Sequence, residues 1–175
     1  MLNHWASLLN TDCVVARIGT HLVYPIFKVG STSLMSAADK ILVNEEIGQC
    51  RHIEILLRDP GVRFVSGINQ YSRLNNMDVS EVWQLARSGK LVDRHFAPQF
   101  VWLLHLYRYF KGTVMIRPFE YIKKITDIHL SKKKCIDQPV PELTTFVDID
   151  YRLMDSINKK VSLKKIIEEN RDALS

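Results

Sequence analysis

Three short apolar runs, each followed by a turn and a segment with helical spacing, constrain the fold of this chain more than any other feature. They are His21 to Phe27, Ile53 to Leu57 and Thr113 to Ile116. Runs of this length, rich in β-branched and aromatic residues, are typical of buried strands. Strands that alternate with helices form a parallel sheet covered on both faces. The sequence therefore predicts an α/β fold with a central parallel sheet flanked by helices.

The helices of this scheme are indicated by spacing and by capping residues. A helix is predicted over Leu34 to Ile41, and a second begins at Pro60, where Asp59 can cap it and proline suits the first turn. A third begins at Asp78 or Ser80 and ends at Gly89. The remaining predictions are a buried helix over 100–110, an ordered loop over 93–99, a helix over 118–125, a loop over 131–142 and one or two closing helices over 151–174.

The length of 175 residues fits a single domain, 1–175, which can bury about 70% of its unfolded surface. The net charge of +5 attracts anions but is modest for a nucleic-acid binder, so we expect a small phosphorylated ligand and no nucleic acid. Cys13, Cys50 and Cys135 lack metal-ligand spacing, which predicts no metal and a reducing compartment. No signal or membrane segment is evident, so we expect a soluble cytoplasmic protein, or a Golgi-lumen protein if the sequence is an excised catalytic core.

A polar loop follows the first predicted strand and leads directly into a predicted helix. It reads Lys28, Val29, Gly30, Ser31, Thr32 and Ser33. Unpaired N–H groups at a helix start attract anions, and Gly30 allows close approach of the main chain. The loop is not a Walker A sequence, because its lysine precedes the glycine and no acidic metal ligand is evident. It predicts a metal-independent anion site, with an ordinary helix cap beside a surface lysine as the alternative.

A second motif follows the second predicted strand and changes the interpretation of the first. Arg58-Asp59-Pro60 is followed by Ser66, eight residues after the arginine. Together, PIFKVGSTSL and RDPGVRFVSG resemble the cofactor motifs of sulfotransferases that use 3′-phosphoadenosine 5′-phosphosulfate (PAPS), particularly the carbohydrate sulfotransferases. The resemblance extends from Val23 to about Lys132. It implies a three-layer P-loop-like fold, PAPS as cofactor without a metal, and 3′-phosphoadenosine 5′-phosphate (PAP) as product.

The resemblance also implies roles for individual residues. The loop from Lys28 to Ser33 would hold the 5′-phosphosulfate, and Arg58 and Ser66 would hold the 3′-phosphate. Lys28 would also neutralise charge on the leaving phosphate, as in related phosphoryl transfers. The acceptor is expected to be a hydroxylated molecule, a saccharide in the carbohydrate branch. The same family resembles this sequence more weakly in three further segments, Asp93–Gln99, Ile116–Ile122 and Ile128–Lys132.

An alcohol acceptor must lose a proton, and His95 is the predicted base. A histidine changes charge near neutral pH, and this one lies in a polar loop beyond the second motif. A structural role for His95 is the alternative. Glu45 and Glu46 are further candidates, for which a solvated surface pair is the simpler interpretation.

Two other functions fit the same anion loops. One is a P-loop-like nucleotide-dependent kinase, which would need magnesium and an acidic ligand. The other is a noncatalytic module that binds a nucleotide or a nucleic acid.

Overall fold

A computed structural model describes Trp5, residues 10–126 and residues 145–170, with backbone only at 145–147. The strands are β1 (Val14–Ile18), β2 (His21–Tyr24), β3 (Lys40–Val43), β4 (His52–Leu57), β5 (Thr113–Pro118) and β6 (Lys160–Ser162). The α-helices are α1 (Ser31–Ser36), α2 (Pro60–Asn75), α3 (Val79–Arg87), α4 (Gln99–Tyr109), α5 (Ile122–Ile125), α6 (Thr145–Met154) and α7 (Leu163–Glu169). Segments of 3₁₀ helix also cover Asn44–Gln49 and Phe119–Tyr121. The predicted loop over 131–142 and the weak motif at Ile128–Lys132 lie outside the described residues.

The six strands form one sheet in the order β3-β1-β2-β4-β5-β6, with helices flanking it. The three strands predicted from the sequence are the central ones, and the pairs β2–β4 and β4–β5 are parallel as predicted. The sheet as a whole is mixed, which corrects the expectation of a parallel sheet. Strand β1 pairs antiparallel with β2 and β3, and β6 pairs antiparallel with β5. A two-residue turn at Gly19 joins β1 to β2, and so short a connection permits only antiparallel pairing.

The first strand–helix unit is shorter than the sequence predicts. Strand β2 ends at Tyr24 because Pro25 has no N–H with which to continue the ladder. Helix α1 ends at Ser36, so the prediction of a helix through Ile41 is wrong at its end. Ile41 lies in β3 and pairs with Ala16. A segment as short as Lys40–Val43 fits helical and strand spacing equally well, and here pairing with β1 decides.

The capping predictions for α2 and α3 are confirmed. The Asp59 carboxylate accepts a hydrogen bond from the Val62 N–H at 2.8 Å, and Pro60 occupies the first position of α2. Asp78 accepts from the N–H of Ser80 at 2.8 Å and caps α3. These bonds satisfy amides that have no partner within the helix, so they fix where each helix begins.

The buried helix predicted over 100–110 is confirmed as α4. Its residues from Gln99 to Leu103 are all buried. A hydrogen bond of 3.0 Å joins Nδ1 of His105 on α4 to the hydroxyl of Tyr24 on β2, which fixes the helix to the sheet. Strand β4 is buried from Ile53 to Leu57, as expected for a central strand. Within the described ranges, none of the helices has the length and apolar character needed to cross a bilayer.

Candidate functional site

The ends of β2 and β4 bring the two sequence motifs together. The strands are neighbours and parallel, so their carboxyl ends meet at one edge of the sheet. Lys28 lies four residues beyond the end of β2, and Arg58 directly follows β4. The Arg58 guanidinium donates from Nη1 to the main-chain oxygen of Lys28 at 3.2 Å. The first motif therefore lies against the second.

The loop between β2 and α1 has a constrained backbone. Lys28 has a φ of 64° and Gly30 a φ of 73°, both in the left-handed region. For lysine this conformation costs about 1–2 kcal/mol, so the surrounding structure must hold it. Val29 between them is fully buried and anchors the loop in the core. The main chain therefore turns sharply before α1 begins at Ser31.

Gly30 lies close to side chains that follow β5. A Cβ atom at this position would lie 2.3 Å from Cδ1 of Ile122 and 3.3 Å from the ring of Phe119. The space beside Gly30 is therefore filled by side chains that follow β5, where the sequence suggested approach to a ligand. The other loop residues, Ser31, Thr32 and Ser33, form the first turn of α1, whose N–H groups lack partners within the helix.

The amine of Lys28 extends towards α2 and donates to Oε1 of Gln70. Ser66 precedes Gln70 by four residues on the same helix, so the two share a helix face. Lys28 and Ser66 are both partly exposed. The structure therefore directs the lysine of the first motif to the helix face that carries the serine of the second.

The side chain of Arg58 is held between the loop and an aromatic ring. Its Cζ lies 5.2 Å from the centroid of the Phe119 ring, in addition to its bond to the Lys28 oxygen. A cation–π contact uses no N–H group, so the remaining N–H groups of the guanidinium can still donate to a ligand. Arg58 is partly exposed, so a ligand can reach it.

Arg63 is a basic residue of this region that the sequence analysis missed. It is 1% exposed, and its Nε donates to the main-chain oxygen of Phe27 at 3.0 Å. Its Nη2 is buried without a hydrogen-bond partner in the described part of the chain. Burial lowers the pKa of Arg63 to about 10, which the nearby charge of Asp150 opposes and that of Arg58 reinforces. The available signal was an arginine among apolar residues at helical spacing.

His95 lies beside the loop but is tied to a carboxylate. Its Nδ1 is 2.5 Å from Oδ1 of Asp93, which also accepts the His95 main-chain N–H at 2.8 Å. Its ring meets the edge of Phe27, with centroids 5.7 Å apart. When Nδ1–H is donated to Asp93, Nε2 carries the lone pair that a base requires. This geometry suits an oriented base as well as a structural histidine.

The loop that carries His95 packs on α2 at Gly67. A Cβ at Gly67 would lie 2.2 Å from the main-chain oxygen of His95, so only glycine permits this approach. Gly67 precedes Gln70 by three residues in α2, so the two lie on one face of the helix. His95 therefore lies close to the helix face that Lys28 contacts.

Glu45 and Glu46 lie in the 3₁₀ helix after β3, where both are exposed. Glu46 accepts from the Val43 N–H at 3.0 Å and pairs with the Lys40 ammonium at 3.1 Å. The Val43 bond, followed by Lys40, lowers the pKa of Glu46. Its carboxylate caps a helix at the surface, which favours the solvated interpretation of this pair.

The residues around the loop fit an anionic ligand with more than one charge. Lys28 and Arg58 bring two partly exposed positive charges to the region, and Arg63 adds a buried one whose charge interacts with that of Asp150. Among the described residues, no group of three or more His, Cys, Asp or Glu side chains could hold a metal ion. No family model, curated protein or solved structure matches this chain.

Proposed function

We propose that this chain is a sulfotransferase that transfers a sulfuryl group from PAPS to the hydroxyl of an acceptor, a saccharide in the carbohydrate-type branch. The contact between Arg58 and the main chain of Lys28 carries this proposal, because it joins the two motifs at neighbouring ends of parallel strands. The proposal includes a three-layer P-loop-like arrangement around β2, β4 and β5.

Residues on either side of that contact would hold the two ends of the nucleotide. Lys28 and the loop through Ser33 would bind the 5′-phosphosulfate, while Arg58 and Ser66 would bind the 3′-phosphate. PAPS supplies an activated sulfuryl group when bound. Arg63 is too buried for direct contact, but its charge lies behind the loop and raises the positive potential of the region.

Lys28 is suited to neutralise a developing negative charge. The Lys28 amine donates to Gln70, which is a neutral amide, and a hydrogen bond between ammonium and anion is stronger than one to an amide. Exchange of the amide for a phosphate oxygen is therefore favourable. The contribution expected from such a charged contact is about 2–4 kcal/mol of transition-state stabilisation.

His95 would accept the proton of the acceptor hydroxyl at Nε2. Asp93 orients the ring and stabilises the imidazolium that forms, because its carboxylate bonds Nδ1 at 2.5 Å. The same oxygen also binds the His95 main-chain N–H, so side chain and backbone are fixed together.

Calorimetric titration with PAP in the presence of EDTA tests the nucleotide assignment. We expect saturable binding of PAP and weaker binding of 5′-AMP, since Arg58 and Ser66 would recognise the 3′-phosphate. Binding of ATP only with magnesium would instead support a kinase, and salt-sensitive oligonucleotide binding would support a nucleic-acid module. Transfer of radiolabelled sulfate from PAPS to sugar, lipid and peptide pools then tests the reaction and identifies the acceptor class.

A further inference from the structure

One buried side chain, that of Gln99, forms hydrogen bonds with both the N–H and the carbonyl group of Arg58. Gln99 Oε1 accepts from the Arg58 N–H at 3.0 Å, and Gln99 Nε2 donates to the Arg58 carbonyl at 3.0 Å. Gln99 is fully buried. Arg58 lies between the last residue of β4 and the first turn of α2, where neither element supplies its main-chain partners. The carboxamide of Gln99 therefore makes the two main-chain hydrogen bonds that a neighbouring strand would make if β4 continued through Arg58.

Gln99 is in turn fixed by a carboxylate from another helix. Asp150 on α6 accepts from the Gln99 N–H at 2.6 Å and from the Phe100 N–H at 2.8 Å. Pro98 precedes α4 and offers no side-chain cap. Asp150 thus caps α4 across 51 positions of sequence and is itself 1% exposed. The charged group that faces it from α2 is Arg63.

These contacts form a chain from a buried carboxylate to the candidate anion site. Asp150 holds the start of α4, Gln99 at that start holds the Arg58 main chain, and the Arg58 side chain reaches the Lys28 loop. A guanidinium binds a phosphate more tightly when its backbone position is fixed in advance, and a misplacement of about 1 Å weakens such sites.

We propose that Gln99 and Asp150 are positioning residues that fix Arg58 for recognition of the nucleotide 3′-phosphate. This inference rests on the proposed function. Neither residue would touch the nucleotide, because both act through the Arg58 main chain.

The test compares the affinities of PAP and 5′-AMP, which differ by the 3′-phosphate that Arg58 would bind. Gln99→Met keeps the approximate shape of the side chain and removes both bonds to Arg58. We expect the ratio of PAP to 5′-AMP affinity, measured calorimetrically, to fall about tenfold or more in this variant. Asp150→Asn keeps one acceptor and should shift the ratio in the same direction by a smaller factor. It provides the test if Gln99→Met does not fold.

A double-substitution cycle separates positioning from a general structural role. In an Arg58→Ala background, Gln99→Met should leave the affinity ratio unchanged, because the group that it positions is absent. Ser72→Ala is the control, since Ser72 is also buried and bonds a main-chain oxygen, that of Met77, at the far end of α2. It should lower the melting temperature without changing the ratio.

The outcomes distinguish the two proposals. PAP binding by the wild type, with a ratio unchanged in Gln99→Met and Asp150→Asn, overturns the positioning role alone. An equal loss of ratio with and without the Arg58 side chain also overturns it. Absence of PAP binding by the folded wild type overturns the proposed function and this inference with it.

Discussion

The side chain of Arg58 is hydrogen-bonded to the main chain of Lys28: Nη1 of Arg58 donates to the Lys28 carbonyl oxygen at 3.2 Å. The Lys28 side chain takes a different direction and bonds Gln70 on α2. The two cations therefore share a loop but have separate side-chain partners. Their substitution should consequently have separable effects.

Lys28→Ala should reduce kcat far more than nucleotide affinity, whereas Arg58→Ala should mainly weaken nucleotide binding. The lysine is placed to neutralise charge in the transition state, and its loss should cost about 2–4 kcal/mol, or about 30- to 1000-fold in rate. Arg58 would bind a phosphate that does not react, so its loss appears in KM and in the PAP dissociation constant.

Lys40→Ala is a suitable control for these rates, because Lys40 is an exposed lysine whose salt bridge to Glu46 lies at the surface. Steady-state kinetics with a sulfated acceptor as product would measure all three variants. Wild-type rates in both Lys28→Ala and Arg58→Ala would contradict the assignment of the site.

Gly67→Ala should destabilise the protein, although alanine normally favours a helix interior by about 1 kcal/mol. The new Cβ would meet the main-chain oxygen of His95 at 2.2 Å, and a backbone atom cannot rotate away. Overpacking of this kind costs roughly 1–3 kcal/mol. Urea unfolding measures the change, with Asn69→Ala in the same helix as the reference. A Gly67→Ala protein at least as stable as wild type would disprove this close approach.

The central strands and the capped helices could be predicted from sequence because their signals are local. Asp59 and Asp78 act on amides within three residues of themselves. Strands β1, β3 and β6 were not predicted, because each is short and contains a charged residue, Arg17, Lys40 or Lys160, that breaks the apolar run. Their pairing across the sheet determines them, and it makes the sheet mixed.

The candidate site was predictable only in part, for a similar reason. Lys28 and Arg58 lie at strand ends that the sequence marks, so their proximity follows from parallel pairing. Arg63 and Asp150 were missed because a charged residue in an amphipathic helix is usually exposed. Their burial comes from tertiary packing, and the bond from Asp150 to the Gln99 N–H joins residues 51 positions apart.

His95→Asn should lose about 100- to 10,000-fold of kcat/KM, because asparagine cannot accept the proton of the acceptor hydroxyl as the proposed base would. His52→Asn, which replaces an exposed histidine at the start of β4, should keep the wild-type rate. Steady-state kinetics of the two variants makes the comparison. A His95→Asn enzyme with the wild-type rate would exclude His95 as the base.

Asp93→Asn should give a smaller loss of rate than His95→Asn. The variant keeps the imidazole but loses the carboxylate that bonds Nδ1 and stabilises the imidazolium. Wild-type rates in Asp93→Asn would show that the carboxylate does not assist the histidine. The role of His95 as the base would then be tested by His95→Asn alone.

Titration of Asp150 should make the protein less stable as the pH rises from about 4 to 6. Burial raises the pKa of this carboxyl from 3.8 to about 6, although Arg63 and the amides of Gln99 and Phe100 oppose the shift. In this range the folded chain binds a proton at Asp150 that the unfolded chain has released. Stability must therefore fall with rising pH, by about 3 kcal/mol for a change of this size.

The Asp150 contribution can be isolated as the difference in unfolding free energy between wild type and Asp150→Asn, followed by urea denaturation from pH 3.5 to 7. Glu46 and Asp78 have lowered pKa values and produce the opposite slope, but they are present in both proteins and cancel in the difference. The unfolding free energy of the wild type minus that of Asp150→Asn should fall as the pH rises to about 6. Above that pH the difference should stay constant. A difference independent of pH would mean that the Asp150 carboxyl has the same pKa in the folded and unfolded chains, which would contradict this prediction.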